Sequence, residues 1–221
     1  MLETYFNITV IAEWCTFIAA FILLNKRTDK WRLFIPLLFL ILCVETIGWY
    51  QSNITKIQGN STPFNFLMII SISFFLWLMA QAKPMVSLKK YFYGVIFSFI
   101  VFALVNLLLF QKLAIYNSIS EVAGDILLAF FSGYLIYGLI KDETNERSLF
   151  AQEYFWLAAG ILFSAMGSAV LYTFLDELLA YYKETKINVY GYINYTVNLL
   201  LYVCLIIAFI CRRKIKSSQG L

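Results

Sequence analysis

Seven runs of apolar residues, each close to the length needed to cross a bilayer, are laid end to end along this chain with only short connections between them. They run over Tyr5–Leu24, Leu33–Tyr50, Phe64–Ala82, Tyr91–Gln111, Ser120–Ile140, Tyr154–Leu175 and Tyr190–Cys211. A membrane-crossing helix needs about 20 predominantly apolar residues, because 1.5 Å of rise per residue must cover about 30 Å of hydrocarbon. None of the runs contains a lysine or arginine apart from the edges. The expected fold is therefore all-α: one seven-transmembrane-helix bundle occupying residues 1–221 as a single domain.

Composition agrees with that reading. Hydrophobic residues make up 62% of the chain and charged residues 14%, with a mean hydropathy of +0.77. A soluble domain carries about 45–50% apolar and about 25% charged residues, so a chain like this one has too little polar surface to face water. Its 221 residues, spent on seven spans, leave no room for a soluble catalytic or nucleic-acid-binding domain.

The connections fix an orientation. Lys26, Arg27, Lys30 and Arg32, then Lys83, Lys89 and Lys90, then Lys141 and Arg147, and finally Arg212, Arg213, Lys214 and Lys216 all fall on one side. The other side holds only Lys56, Lys112, Lys183 and Lys186. Basic loops stay in the cytoplasm, which predicts an N-terminus outside and a C-terminus inside. A multi-pass protein of the cell's inner (cytoplasmic) membrane is expected. The first basic residue is Lys26, so the opening run is expected to be retained as a helix rather than cleaved as a signal peptide.

Much chemistry is ruled out by what the chain lacks. With no histidine, His-ligated haem, His-based zinc or di-iron sites and a phosphohistidine relay are excluded within these residues. Cys15, Cys43, Cys204 and Cys211 show no CxxC spacing and read as small packing residues. No phosphate loop, HExxH helix or GxSxG elbow occurs. The last run has no lysine for a retinal Schiff base. Neither a catalytic residue, a metal site nor a cofactor is expected, and the basic residues at helix ends do not suggest a nucleic-acid partner.

Function is legible where the apolar rule breaks. Ionisable groups within spans are costly and face a bundle interior or a wet cavity. Glu13 and Glu45 lie about 20 Å from the basic edge and Asp125 about 24 Å, counting 1.5 Å per residue. Glu121 lies one turn beyond Asp125 on the same face, Asn194 and Asn198 repeat that spacing, and Asn65 opens the third run. All fall in the outer half, and no cation shares their depth. Such carboxyls are protonated and hydrogen-bonded, line a water-filled pocket, or bind a cation. Three acids on three runs favour an outward-facing acidic ligand-binding pocket built by runs one, two, five and seven. In the sixth run, Gly160, Ser164 and Ser168, beside Ala165 and Ala169, form a small-residue stripe that lets helices approach closely. It serves packing within the bundle or, alternatively, a homo-oligomer interface.

Three stretches carry a resemblance: Val44-Glu-Thr-Ile-Gly-Trp-Tyr50 followed by Phe64-Asn-Phe, Tyr154-Phe-Trp-Leu-Ala-Ala-Gly160, and Asn198-Leu-Leu-Leu-Tyr-Val-Cys-Leu-Ile-Ile-Ala-Phe209 with its basic tail. Together they resemble a family of small, uncharacterised bacterial seven-helix integral membrane proteins. The resemblance implies a sensor-like module working beside a separate histidine kinase or other membrane signalling protein. Three functional expectations follow: a sensor or ligand-binding module, a small-solute or cation transporter, and a membrane scaffold without a ligand. The three prolines, Pro36, Pro63 and Pro84, lie near run ends, so the helices are expected to be unbroken, unlike those of most transporters.

Overall fold

The computed structural model describes residues 2–25, 29–50, 61–111, 113–142 and 148–217, with the side chains of 2–7, Trp49 and 215–217 left aside. Of the basic residues used for orientation, Lys26, Arg27, Lys56, Lys112, Arg147 and the side chain of Lys216 lie outside that set. Eight helices follow one another: α1 (Leu2–Leu24), α2 (Phe34–Tyr50), α3 (Thr62–Met79), α4 (Lys89–Val105), α5 (Ser118–Lys141), α6 (Glu153–Thr173), α7 (Leu175–Thr185) and α8 (Val189–Ser217). There is no strand among the described residues. Six helical stretches are long and apolar enough to cross a membrane, and α1 adds a shorter apolar one, Ile8–Leu24. Each expected apolar run coincides with one helix.

α7 is the element that hydropathy did not announce. Its sequence, Leu-Asp-Glu-Leu-Leu-Ala-Tyr-Tyr-Lys-Glu-Thr, alternates apolar and charged residues at helical spacing and buries none of them. Phe174, with φ −104° and ψ 24°, breaks α6 from α7. Lys186 closes α7 in the left-handed conformation, φ 61°, which stops the helix by turning its last amide back to Tyr182.

α4 is not a uniform helix either. It runs on into a π-helical turn, Asn106–Gln111, so the expectation of unbroken helices fails at this one end. The wider turn accompanies a network of buried amides. Asn106 Nδ2 donates to Asn117 Oδ1 at 2.6 Å and to Ser120 Oγ at 3.1 Å, and Asn117 Nδ2 reaches Ala103 O at 3.2 Å. Asn117 Oδ1 also caps α5 by accepting from Ser120 N at 3.2 Å.

Packing partners close a ring. α1 meets α2 and α8, α2 meets α3, α3 meets α5, α5 meets α6, and α6 meets α8, while α4 lies against α3 and α5. Glycines permit the tightest of these approaches: a Cβ on Gly160 would stand 2.7 Å from Cys204 Cβ, and one on Gly167 would stand 2.4 Å from Val197 Cγ2. The outward faces of the ring expose Ile22, Phe97, Phe130 and Phe163, as a lipid-facing surface does.

One end of the ring is basic and closed. Lys83 pairs with Asp142 at 3.1 Å, and Lys30 donates to Gln81, so the α1–α2, α3–α4 and α5–α6 connections meet there. Arg212 of α8 joins the same end, bonding Asp29 Oδ2 through Nε at 3.2 Å and Nη2 at 3.0 Å, and Glu153 Oε1 through Nη1 at 2.6 Å. Beneath this cluster lies an aromatic plug. Arg212 sits 5.9 Å from the Trp31 ring, Trp31 is 5.6 Å from Phe34, and Phe34 is 5.0 Å from Phe209. Trp31, Phe34 and Phe209 are fully buried.

Candidate functional site

Inside the ring is a cavity of about 370 Å³. Five helices wall it, and each does so with a stripe at helical spacing. α2 offers Phe34, Leu38, Ile41 and Glu45; α3 offers Phe64, Met68, Ser71 and Phe75; α5 offers Glu121, Asp125 and Leu128. α6 offers Ser164, Ser168 and Tyr172, and α8 offers Tyr190, Asn194, Asn198, Tyr202 and Leu205. Tyr116, from the α4–α5 connection, completes the wall.

The lining is divided along the axis. Phe34, Leu38, Phe75 and Leu205 lie towards the basic end and are hydrocarbon. Glu45, Glu121, Asp125, Asn194, Tyr116, Tyr172 and Tyr190 lie towards the other end and are polar. No lysine or arginine lines the cavity.

Five of the seven residues singled out by sequence meet here: Glu45, Glu121, Asp125, Asn194 and Asn198. Asn198 Nδ2 donates to Asn194 O at 2.8 Å and to Asn194 Oδ1 at 2.9 Å, so this amide pair is braced along one face of α8. Glu121 Oε2 accepts from the Tyr116 hydroxyl at 3.0 Å, and the Tyr116 ring stacks on Tyr172 with centroids 5.3 Å apart. Burial, reinforced by Glu121 and Tyr172, holds the Tyr116 phenol well above its usual range, so it acts as a donor and not as a base. Asp125 is different. It is 5% exposed, and its Oδ2 is buried without a hydrogen-bond partner.

Two of the seven stand apart, and the wall is not the one expected from runs one, two, five and seven. Glu13 is on α1, which contributes nothing to the lining. It lies behind Tyr202, whose hydroxyl donates to Glu13 Oε1 at 3.1 Å, because α8, packed against α1, stands between Glu13 and the hollow. Asn65 is fully buried and spends its side chain on the α4–α5 connection. Its Nδ2 donates to Leu113 O at 3.2 Å and Ile115 O at 2.9 Å, and its Oδ1 accepts from Asn117 N at 2.8 Å. By holding that connection it fixes Tyr116 over the cavity.

Sequence reasoning did not single out Tyr116, Tyr172 or Tyr190, and took Ser164 and Ser168 for packing residues. The signal was present: Ser164, Ser168 and Tyr172 recur every four residues, as do Tyr190, Asn194 and Asn198, placing each set on one helix face. Compared with family models, curated proteins and solved structures, the chain finds no match. Its site is therefore read from geometry alone.

Proposed function

We propose that this chain is a sensory or ligand-binding module of the bacterial inner membrane. It crosses the membrane seven times with the N-terminus outside and binds its ligand in the cavity walled by α2, α3, α5, α6 and α8. One observation carries the reading. Acids and amides scattered over 154 residues of sequence, from Glu45 to Asn198, converge on one hollow that no lysine or arginine among the described residues lines. Asp125 Oδ2, at the cavity, is buried without a hydrogen-bond partner, as Glu13 Oε2 and Ser73 Oγ are away from it. A buried acceptor left without a partner costs about 1–3 kcal/mol, and a ligand that donates to it recovers that cost.

Binding and signalling suit this architecture better than transport, because the hydrocarbon floor and the plug of Trp31, Phe34 and Phe209 leave no polar path to the basic end. α8 carries both Asn194 and Asn198 at the cavity and Arg212 at the basic end. A shift of α8 on binding moves the Arg212 cluster, and a separate protein, such as a membrane histidine kinase, reads that movement.

Cysteine modification tests the pocket. In a variant with the native cysteines replaced by alanine, Ser168→Cys is exposed to membrane-impermeant thiosulfonates from outside intact cells. The expected result is modification at least about tenfold faster by a cationic reagent than by an anionic one of equal size, as an acidic cavity concentrates cations. Equal rates, or labelling only from the cytoplasmic side, would count against the reading. Ligand-driven solute uptake into proteoliposomes would point to the transporter instead.

A further inference from the structure

Resting on that reading, we infer that the ligand is an organic ammonium ion with an apolar body. Its charged head lies among Glu45, Glu121 and Asp125, and its body lies against Phe34, Leu38, Phe75 and Leu205.

Charge gives the head. Three carboxyls and, among the described residues, no cation line one end of the cavity, and the Asp125 oxygen without a partner is an acceptor positioned for a donor. An ammonium supplies N–H donors and positive charge together. Three tyrosines, Tyr116, Tyr172 and Tyr190, share that end, and a cation over an aromatic face is attracted by the ring's negative π cloud.

Shape argues against an inorganic ion. Among the described residues, no three acids or cysteines converge closely enough to hold a metal; the carboxyls are distributed around the wall. A bare or hydrated cation would also leave the hydrocarbon half of the hollow filled with water or empty. Burying an apolar body there is favourable in proportion to the apolar area removed from water. The volume, about 370 Å³, lies at the small end of the range for ligand pockets, about 300–1,000 Å³. A single-ring amine fits this description better than a lipid or a peptide.

A matched series of probes provides the test, with the full chain in lipid nanodiscs and binding followed by calorimetry. Phenethylammonium carries the head and the body, ethylammonium the head alone, 2-phenylethanol the body with a neutral head, and 3-phenylpropionate the body with an anionic head. The expected order places phenethylammonium at least about tenfold tighter than each of the others. Glu45→Gln and Asp125→Asn should each weaken it at least tenfold, whereas Glu177→Gln, on exposed α7, should not. If Asp125→Asn does not fold, Glu45→Gln decides. Tighter binding of the alcohol or the carboxylate, or indifference to both acid substitutions, overturns the ammonium assignment and leaves a pocket for another ligand. If no probe binds and a broad library of small molecules also leaves the protein's thermal stability unchanged, the binding reading itself falls.

Discussion

The Tyr202 hydroxyl donates to Glu13 Oε1 at 3.1 Å, joining α8 to α1 across 189 residues of sequence. Both side chains are buried, at 6% and 2% exposure. Tyr202→Phe removes the donor and should destabilise the bundle by about 1–2 kcal/mol, the range for interhelical bonds that leave a buried acceptor behind. Glu13→Gln keeps an acceptor in place and should cost less. Denaturant titration in mixed micelles measures both; a Tyr202→Phe variant as stable as the parent would show that the bond contributes nothing.

Asn65 makes three hydrogen bonds to the α4–α5 connection. At a net value of about 0.5–1.5 kcal/mol each, Asn65→Ala should cost about 2–4 kcal/mol. Asn65→Asp lacks the two amide donors and should recover only part of the loss. Proteolysis of the 113–117 connection provides a second readout, because a freed connection is cut faster.

Contact between α6 and α8 is set by two glycines whose neighbours differ in kind. Gly167→Ala places a methyl group 2.4 Å from Val197 Cγ2, and Val197→Ala removes that obstacle. Gly160→Ala places one 2.7 Å from Cys204 Cβ, an atom that Cys204→Ala keeps. Each glycine substitution alone should cost about 1–3 kcal/mol by overpacking. The first should be rescued by its partner alanine and the second should not. Double-mutant cycles decide, and rescue at both positions would mean that the helices separate freely.

Arg212 holds Asp29 and Glu153 together at the basic end, with Glu153 only 9% exposed at its side chain. Arg212→Met leaves the Glu153 carboxylate without this cation and should cost about 2–4 kcal/mol, somewhat less than a fully buried pair. Arg212→Lys cannot bridge two carboxylates with a planar fork and should restore less than half. Thermal unfolding of the purified protein reads the difference.

Much of this was legible in the residues themselves. Apolar runs end where the helices end to within a few residues: the Leu33–Tyr50 run became α2 at Phe34–Tyr50, and Tyr154–Leu175 became α6 at Glu153–Thr173. Hydropathy is an additive property of neighbouring residues, and the solvent it reports is the one that governs helix length. Glu45, Glu121 and Asp125 were also readable as interior groups, because a charge facing lipid is too costly to keep. Ring order was not readable. Nothing local says that α8 stands between α1 and the hollow, so Glu13 was expected in the wall and lies behind Tyr202. α7 escaped because an amphipathic helix and a polar connection have the same mean hydropathy. Asn65 escaped because a buried amide that binds a ligand and one that ties down a backbone are the same residue until its partners are known.

The closure of the ring has a consequence for how the protein is made. α1 has only α2 and α8 as substantial helix neighbours, and α8 follows every other helix in the chain. During synthesis α1 therefore waits with one flank uncovered until α8 is made. The seam between them, with Tyr202 against Glu13, forms only once α8 is in place, and until then the hollow lacks its α8 wall. Insertion delivers the helices one by one, but the hollow is walled on every side only when α8 joins them.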